Sequence, residues 1–237
     1  MMTTAQLTAN FAEKKGFHIN QEQIEKLDAY ASMLLEWNKK MNLTAITDSK
    51  GIAIKHFYDS LTPVWYLNIP KNSRVIDVGT GAGFPSIPMA ILRPDLHFTL
   101  LDSLNKRLIF LNEVCSSLDI DAKLVHMRAE DAAKKEEYRE KFDISVSRAV
   151  AALPVLCEYC LPFVKKNGIF VAMKGLKAKE ELNLSQNAVK VLGAVLDKTV
   201  DIVLPDDSER SIIVIQKKNY TPKAYPRHGS KIAKQPL

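Results

Sequence analysis

The stretch Val75-Ile76-Asp77-Val78-Gly79-Thr80-Gly81-Ala82-Gly83 decides how the rest of the chain is read. Its apolar run predicts a short buried strand, and its alternating glycines predict a turn that lets a ligand approach the backbone closely. Such a turn leaves the N–H groups of the next helix free. The dinucleotide fingerprint G-x-G-x-x-G needs glycine at 84, where the chain carries Phe84, and the G-K-[ST] of a phosphate loop is absent. Asp77, just before the turn, repels phosphate; it attracts a cation or accepts hydrogen bonds from the loop.

Outward from the turn, a helix is predicted at 86–92 and a second strand at 97–101, ending at Asp102. Asp102 lies 19 residues after Gly83, the spacing at which an acid accepts both ribose hydroxyls in doubly wound nucleotide sites. A ligand with a ribose and a cationic group but no phosphate fits S-adenosylmethionine. A dinucleotide site and a tight turn beside a surface acid remain the alternatives. Further along, residues 104–118 form an amphipathic pattern, 122–127 and 142–147 read as strands, and 153–163 reads as helical despite two prolines. Residues 168–173 read as a fifth strand and 177–191 as a polar helix. Segments 198–204 and 211–217, split by Pro205-Asp206-Asp207-Ser208, form a hairpin. Strand–helix alternation predicts an α/β, Rossmann-like, doubly wound and mostly parallel sheet, here with a C-terminal antiparallel hairpin.

Upstream, residues 1–70 read as a helical appendage. Ile24, Leu27, Tyr30, Ala31, Leu34 and Leu35 make one apolar face, extended by Trp37. A second helix starts at the N-cap Asp48, carries Ile52, His56, Phe57 and Leu61, and is limited by Pro63. The expected division is thus 1–70 appendage, 71–219 ligand-binding domain, and 220–237 an extended basic arm.

Composition bounds the function. With 237 residues and 46% hydrophobic content, the chain buries a full core without disulfide or metal staples. Three cysteines, Cys115, Cys157 and Cys160, suit a reducing, cytoplasmic compartment. The one C-x-x-C, Cys157 to Cys160, has no second pair and no nearby histidine, so buried small side chains are expected rather than a metal site. His97 and His126 fall in predicted strands as core or edge residues. The longest apolar run, 149–157, is well short of the roughly 18 residues of a membrane helix, and no basic-then-apolar secretory pattern opens the chain. No membrane partner is expected. The net charge is +6, and after Glu209 there is no acid but seven bases: Arg210, Lys217, Lys218, Lys223, Arg227, Lys231 and Lys234. The body up to 209 is left near neutral, so the basic end points to a polyanion or serves solubility alone.

At this point the motifs become specific. Asp77-x-Gly79-x-Gly81-x-Gly83 resembles the first motif of class I methyltransferases. The longer string Asp77 through Pro85 resembles one family of them. So do Met41-Asn42-Leu43-Thr44-Ala45-Ile46, His56-Phe57-Tyr58-Asp59-Ser60, Leu101-Asp102-Ser103, Ser147-Arg148-Ala149 and Lys174-Gly175. That family is the 16S ribosomal RNA guanine-N7 methyltransferases, also called glucose-inhibited division protein B. Two departures stand out: Ser86 replaces the family's usual glycine, and Tyr225-Pro226-Arg227 continues as His228-Gly229-Ser230 rather than as a Gly-Thr-Pro step.

The resemblance implies S-adenosylmethionine as cofactor and 16S rRNA of the small subunit as substrate, with transfer to a guanine N7 of the 530 loop. It implies a cofactor set of Asp77, Gly79, Gly81, Phe84, Asp102, Ser103, Ala129, Glu130 and Arg148, with Arg148 catalytic. It implies a substrate set of His56, Asp59, Arg128, Arg210 and Arg227, with Phe57 and Tyr58 as candidates for stacking on the base. A monomer without metal is expected. Read alone, several of these have plainer roles: Glu130 a helix-cap acid, Arg148 a surface partner of Asp143, His56 and Asp59 a contact pair three residues apart. A non-catalytic, cofactor-binding regulator and a NAD-dependent oxidoreductase are the competing functions, the latter disfavoured by Phe84.

Overall fold

The computed structural model describes residues 2–237. Capping chemistry starts the first two helices. Thr3 and Gln6 exchange side-chain-to-backbone bonds ahead of α1 (Thr4–Glu13), and Asn20 and Gln23 do the same ahead of α2 (Gln21–Met41). Asp48 caps the single turn α3 (Ser49–Gly51), accepting from the Gly51 N–H at 2.7 Å. A π-helical segment, Ile52–Tyr58, then runs directly into α4 (Asp59–Tyr66). Pro63 therefore sits inside a helix rather than limiting one. Its missing N–H would strand the carbonyl of Asp59, and the Thr62 hydroxyl donates to that oxygen instead at 2.7 Å.

The alternating part follows as β1 (Arg74–Val78), α5 (Ser86–Leu92), β2 (His97–Asp102), α6 (Asn105–Leu118), β3 (Ala122–His126), α7 (Ala129–Ala132), β4 (Phe142–Arg148), α8 (Leu153–Cys160) with a 3-10 turn (Leu161–Phe163), and β5 (Val164–Lys174). The polar helix is broken at Ser185 into α9 (Ala178–Leu184) and α10 (Gln186–Val191). The hairpin is β6 (Ala194–Val203) and β7 (Glu209–Lys217). Strand order is β3-β2-β1-β4-β5-β7-β6. The first five strands are parallel, and β7 inserts antiparallel between β5 and β6.

Side chains of β1 alternate between two cores. Val75 packs with the N-terminal helices, while Ile76 and Val78 pack with α8 and α10. Ala5, Leu27, Leu34 and Leu61 belong to the same cluster as Val75, Leu100 and Val146. The N-terminal helices are thus one layer of the sheet's own core, not an appendage that hangs from it. Their apolar faces are buried against one another and against the sheet.

The C-terminal segment is also not an extended arm. It ends in α11 (Gly229–Lys234), whose Ile232 is fully buried. Arg139 donates to the carbonyls of Thr221 and Tyr225 at 2.8 and 2.9 Å, and the Arg227 guanidinium grips the buried Glu158 carboxylate at 2.6 Å. Lys217 is buried completely and donates to Leu161 O, Thr221 Oγ1 and Glu140. Burial pulls its pKa down to about 8, against the attraction of Glu140.

Candidate functional site

Two cavities open at the carboxyl edge of the parallel strands, where ligands of open α/β sheets bind. The first, about 850 Å³, is lined by the glycine turn, Phe84, Asp102, Ser103, Met127 to Glu130 and residues of the C-terminal segment. The second, about 650 Å³, is lined by Asp59, Arg210, Lys174 and the turn after β4. His56, Arg148, Ala149 and Val150 line both, so the cavities meet there.

The glycine turn is built by hydrogen bonds across strand ends. The N–H groups of Gly79 and Thr80 donate to Leu101 O at 2.9 and 3.1 Å, and the Gly81 N–H donates to the Asp102 carboxylate at 2.9 Å. Gly79 has φ of 75°, and a Cβ there would strike Val150 at 2.7 Å. Glycine is therefore required by both conformation and space. Asp102 also accepts from the Leu104 N–H at 2.9 Å and from Arg107 at 3.2 Å. Asp102 lines the cavity, and the half-exposed Arg107 occupies part of its acceptor capacity.

Asp77 does not line the cavity. It is fully buried beneath the turn, with the hydroxyls of Thr80 and Ser86 nearby. Burial pushes its pKa up to about 7, opposed by those hydroxyls and by the charge of Arg148. Its place in the cofactor set is corrected to support of the turn from below: an acid at that strand position points into the α2–α5 core, not toward the strand end.

At the adenine end expected from the resemblance, Ala129 and Glu130 do line the cavity. Glu130 is buried, yet no hydrogen bond reaches its carboxylate from the described residues. The nearest cation, Arg128 Nη1, stands 4.0 Å away on a side chain 71% exposed. A buried carboxylate that faces a cavity, with one exposed cation at 4.0 Å and no hydrogen-bond donor among the described residues, fits an amino group of a ligand.

The junction is organised by Arg148 at the end of β4. Its Nη1 donates to Lys55 O at 3.0 Å and to the Asp59 carboxylate at 3.1 Å, and its guanidinium lies over the Phe84 ring at 5.0 Å. Asp59 also pairs with Arg210 Nε at 3.5 Å. Arg148 thus pairs with Asp59; Asp143 instead bonds Lys165 and the Arg74 N–H. No bond joins His56 to Asp59, because the π-helical turn spreads them and Arg148 enters between. His56 stacks on Phe84, ring centroids 4.5 Å apart, and its Nε2 meets Thr44 Oγ1 at 2.7 Å. Burial, helped by the Arg148 charge, lowers its pKa to about 4, so it is neutral at neutral pH. Next to Arg148, Ala149 holds φ of 57°, a left-handed conformation costing about 1–3 kcal/mol in a non-glycine residue.

Three expectations fail on geometry. Phe57 and Tyr58 are wholly buried and line neither cavity, so neither can stack on a base. Arg227 is engaged by Glu158 and also lines neither cavity, so it is a clamp of the C-terminal segment. Arg128 and Arg210 do line the cavities, as do Gly79, Gly81, Phe84 and Ser103. Residues missed in the sequence are Thr44 as the partner of His56, Arg107 on Asp102, Tyr159, and His228, Gly229, Ser230 and Ala233. Thr44, Tyr159 and His228 to Ser230 lay in motifs already singled out, but for other reasons; Arg107 and Ala233 lay in none. Cys157 and Cys160 are buried, and burial pushes the Cys157 thiol up to about 12, so both stay protonated. Among the described residues, no group of three or more His, Cys, Asp or Glu side chains is placed to hold a metal ion, and no helix is long and apolar enough to cross a membrane. His97 and His126 are exposed at strand ends.

A family model described as rRNA small subunit methyltransferase G matches residues 23–212. The chain belongs to this family. It is 49% identical over 227 residues to "Ribosomal RNA small subunit methyltransferase G" of Halalkalibacterium halodurans, covering 95% of each. It is 51% identical over 224 residues to the protein of that name in Acetivibrio thermocellus, covering 94% of this chain and 92% of the relative. Among solved structures, a precorrin-6y C5,15-methyltransferase from Geobacter metallireducens matches with a TM-score of 0.50 at 15% identity, over 67% of this chain and 87% of that one. P. horikoshii TYW2 in complex with MeSAdo matches with a TM-score of 0.50 at 14% identity, over 61% and 56%. These two structural matches bear on the family's fold alone. The sheet and its neighbours make the family's core a class I methyltransferase fold.

Proposed function

We propose that this chain methylates N7 of a guanine in 16S rRNA of the small ribosomal subunit, using S-adenosylmethionine, as a cytoplasmic monomer. The observation that carries the reading is the meeting of the two cavities at His56, Arg148, Ala149 and Val150. The names of the relatives support the rRNA substrate, and the glycine turn, Asp102 and the open Glu130 carboxylate fit an adenosyl ligand.

Gly79 and Phe84 would flank the methionine and adenosine parts, Asp102 the ribose, and Glu130 with the Ala129 backbone the adenine edge. When bound, the cofactor supplies an electrophilic methyl group on a sulfonium that is already a good leaving group. Guanine N7 carries an unprotonated lone pair, so the chain has no proton to remove. The neutral, Thr44-bonded His56 is then a wall of the site rather than a base. The protein's task is placement of an unstacked base. Arg148, held by Lys55 O, Asp59 and the Phe84 ring, presents a fixed planar guanidinium at the junction for stacking or hydrogen bonding. The second cavity sets Lys55, Arg148, Lys174 and Arg210 against Asp59 and Glu181, a net positive lining suited to RNA phosphate.

The test is transfer of labelled methyl from S-adenosylmethionine to small subunits, and to their RNA stripped of protein, both from cells lacking this enzyme. Label in 16S rRNA is expected. No label on either substrate, with cofactor binding shown by titration, refutes the reading.

A further inference from the structure

We propose that His228, Gly229, Ser230 and Ala233, at the C-terminal end, form a wall of the cofactor cavity that closes it over the base of a bound adenosyl group. The proposal rests on the reading that this cavity takes S-adenosylmethionine. The segment lies beyond residues 23–212, the part matched by the family model. It was expected from its charge to reach for RNA. Instead His228, Gly229, Ser230 and Ala233 line the first cavity together with Met127, Ala129 and Glu130.

Three features show a built wall rather than a tail resting by chance. Gly229 is buried directly against Glu130, where a Cβ would collide with the carboxylate. His228 Nδ1 bonds Ser230 Oγ at 2.8 Å, which fixes the turn that enters α11. Behind the wall, Ile232 is fully buried against the α8 side of the molecule, and Arg227 is locked to the buried Glu158. The Glu158 carboxylate accepts both the Arg227 backbone N–H at 2.7 Å and its guanidinium, so the pair sets the backbone position one residue before His228. The cavity therefore offers a purine the Glu130 carboxylate where Gly229 packs against it. Beside it, the mutually bonded Ser230 hydroxyl and His228 imidazole also line the cavity.

Ile232 touches the wall from behind and lines neither cavity, which makes it a positioning residue. In the full chain, Ile232→Ala should raise the Kd for S-adenosylhomocysteine by about tenfold by calorimetry. Turnover at saturating cofactor and the KM for the RNA substrate should stay within about twofold of wild type. Ile232→Leu should restore cofactor affinity. An independent readout needs no variant: adding S-adenosylhomocysteine to the wild-type chain should slow amide hydrogen exchange at 229–235 as well as at 79–83. If the wild-type chain binds the ligand but exchange slows only at 79–83, the proposal is overturned while the cofactor reading stands. A rise in RNA KM with unchanged cofactor Kd overturns it equally, and assigns the segment to RNA. If the wild-type chain does not bind S-adenosylhomocysteine, the cofactor reading itself falls, and the proposal with it.

Discussion

Arg148 shows how much one side chain can hold together here. It bonds the π-helical segment through Lys55 O, shares Asp59 with Arg210, and covers Phe84. Arg148→Ala is expected to reduce methyl transfer by about a hundredfold or more, since placement carries the catalysis. Its stability cost should be about 2 kcal/mol by urea titration, below the ~3–5 kcal/mol of an orphaned buried charge, because Arg210 still faces Asp59. Arg148→Lys should rescue stability better than turnover, as a point charge cannot replace the planar fork. Asp77 gives a pH signature. Its pKa is raised on folding to about 7, so between roughly pH 4 and 7 the native state holds more protons than the unfolded chain. Its contribution to stability therefore declines as pH rises through that window. Asp77→Asn should remove the decline, so that the variant gains on wild type in urea titrations at pH 7.5 relative to pH 4.5. A constant difference between the two proteins would contradict the buried, proton-holding acid. Legibility at this scale followed sequence distance. The turn and Asp102 lie within one strand–helix–strand unit, and local spacing sufficed. Asp59, Arg148 and Arg210 meet only through tertiary folding, so periodicity and spacing left Arg148 as ready to pair with Asp143.

The elements were read well where a pattern of apolar residues ran long enough to have a period. The strands β1, β2 and β3 begin where the apolar runs begin, and α5 matches its expected range. The failures have local causes. Pro63 continues a helix because Thr62 satisfies the carbonyl that proline leaves free. The π-helical segment has no composition of its own; tertiary contacts impose it. One such contact is Thr8, fully buried, whose hydroxyl donates to Ala53 O at 3.2 Å and to Thr4 O at 3.1 Å. Thr8→Val keeps the shape and removes the donor. It should lower stability by about 1 kcal/mol, or Tm by about 2–4 °C, seen in a thermal melt. The helix α11 is six residues with a single apolar anchor, too short to show a helical face.

Across the whole molecule, the charge count overstated the basic end. Of its seven bases, Lys217, Arg227 and Arg210 face Glu140, Glu158 and Asp59 within the fold. Lys218, Lys223, Lys231 and Lys234 stay exposed. Replacing Lys218 and Lys223 together by alanine should weaken RNA binding. It should also flatten the dependence of log K on log salt by up to about 2, from near one unit per lost phosphate contact. An unchanged slope would remove the stretch 218–223 from the RNA interface. The N-terminal layer was legible as helices but not as part of the core, because an amphipathic face does not name its partner.

The central claim is the atom that receives the methyl group. After reaction with labelled S-adenosylmethionine, small-subunit RNA from cells lacking the enzyme can be treated with borohydride and then aniline, which break the strand at N7-methylguanine. A single new break in 16S rRNA that coincides with the label, and is absent with Arg148→Ala, is the expected result. Label without a break, or a break away from the label, would contradict the account.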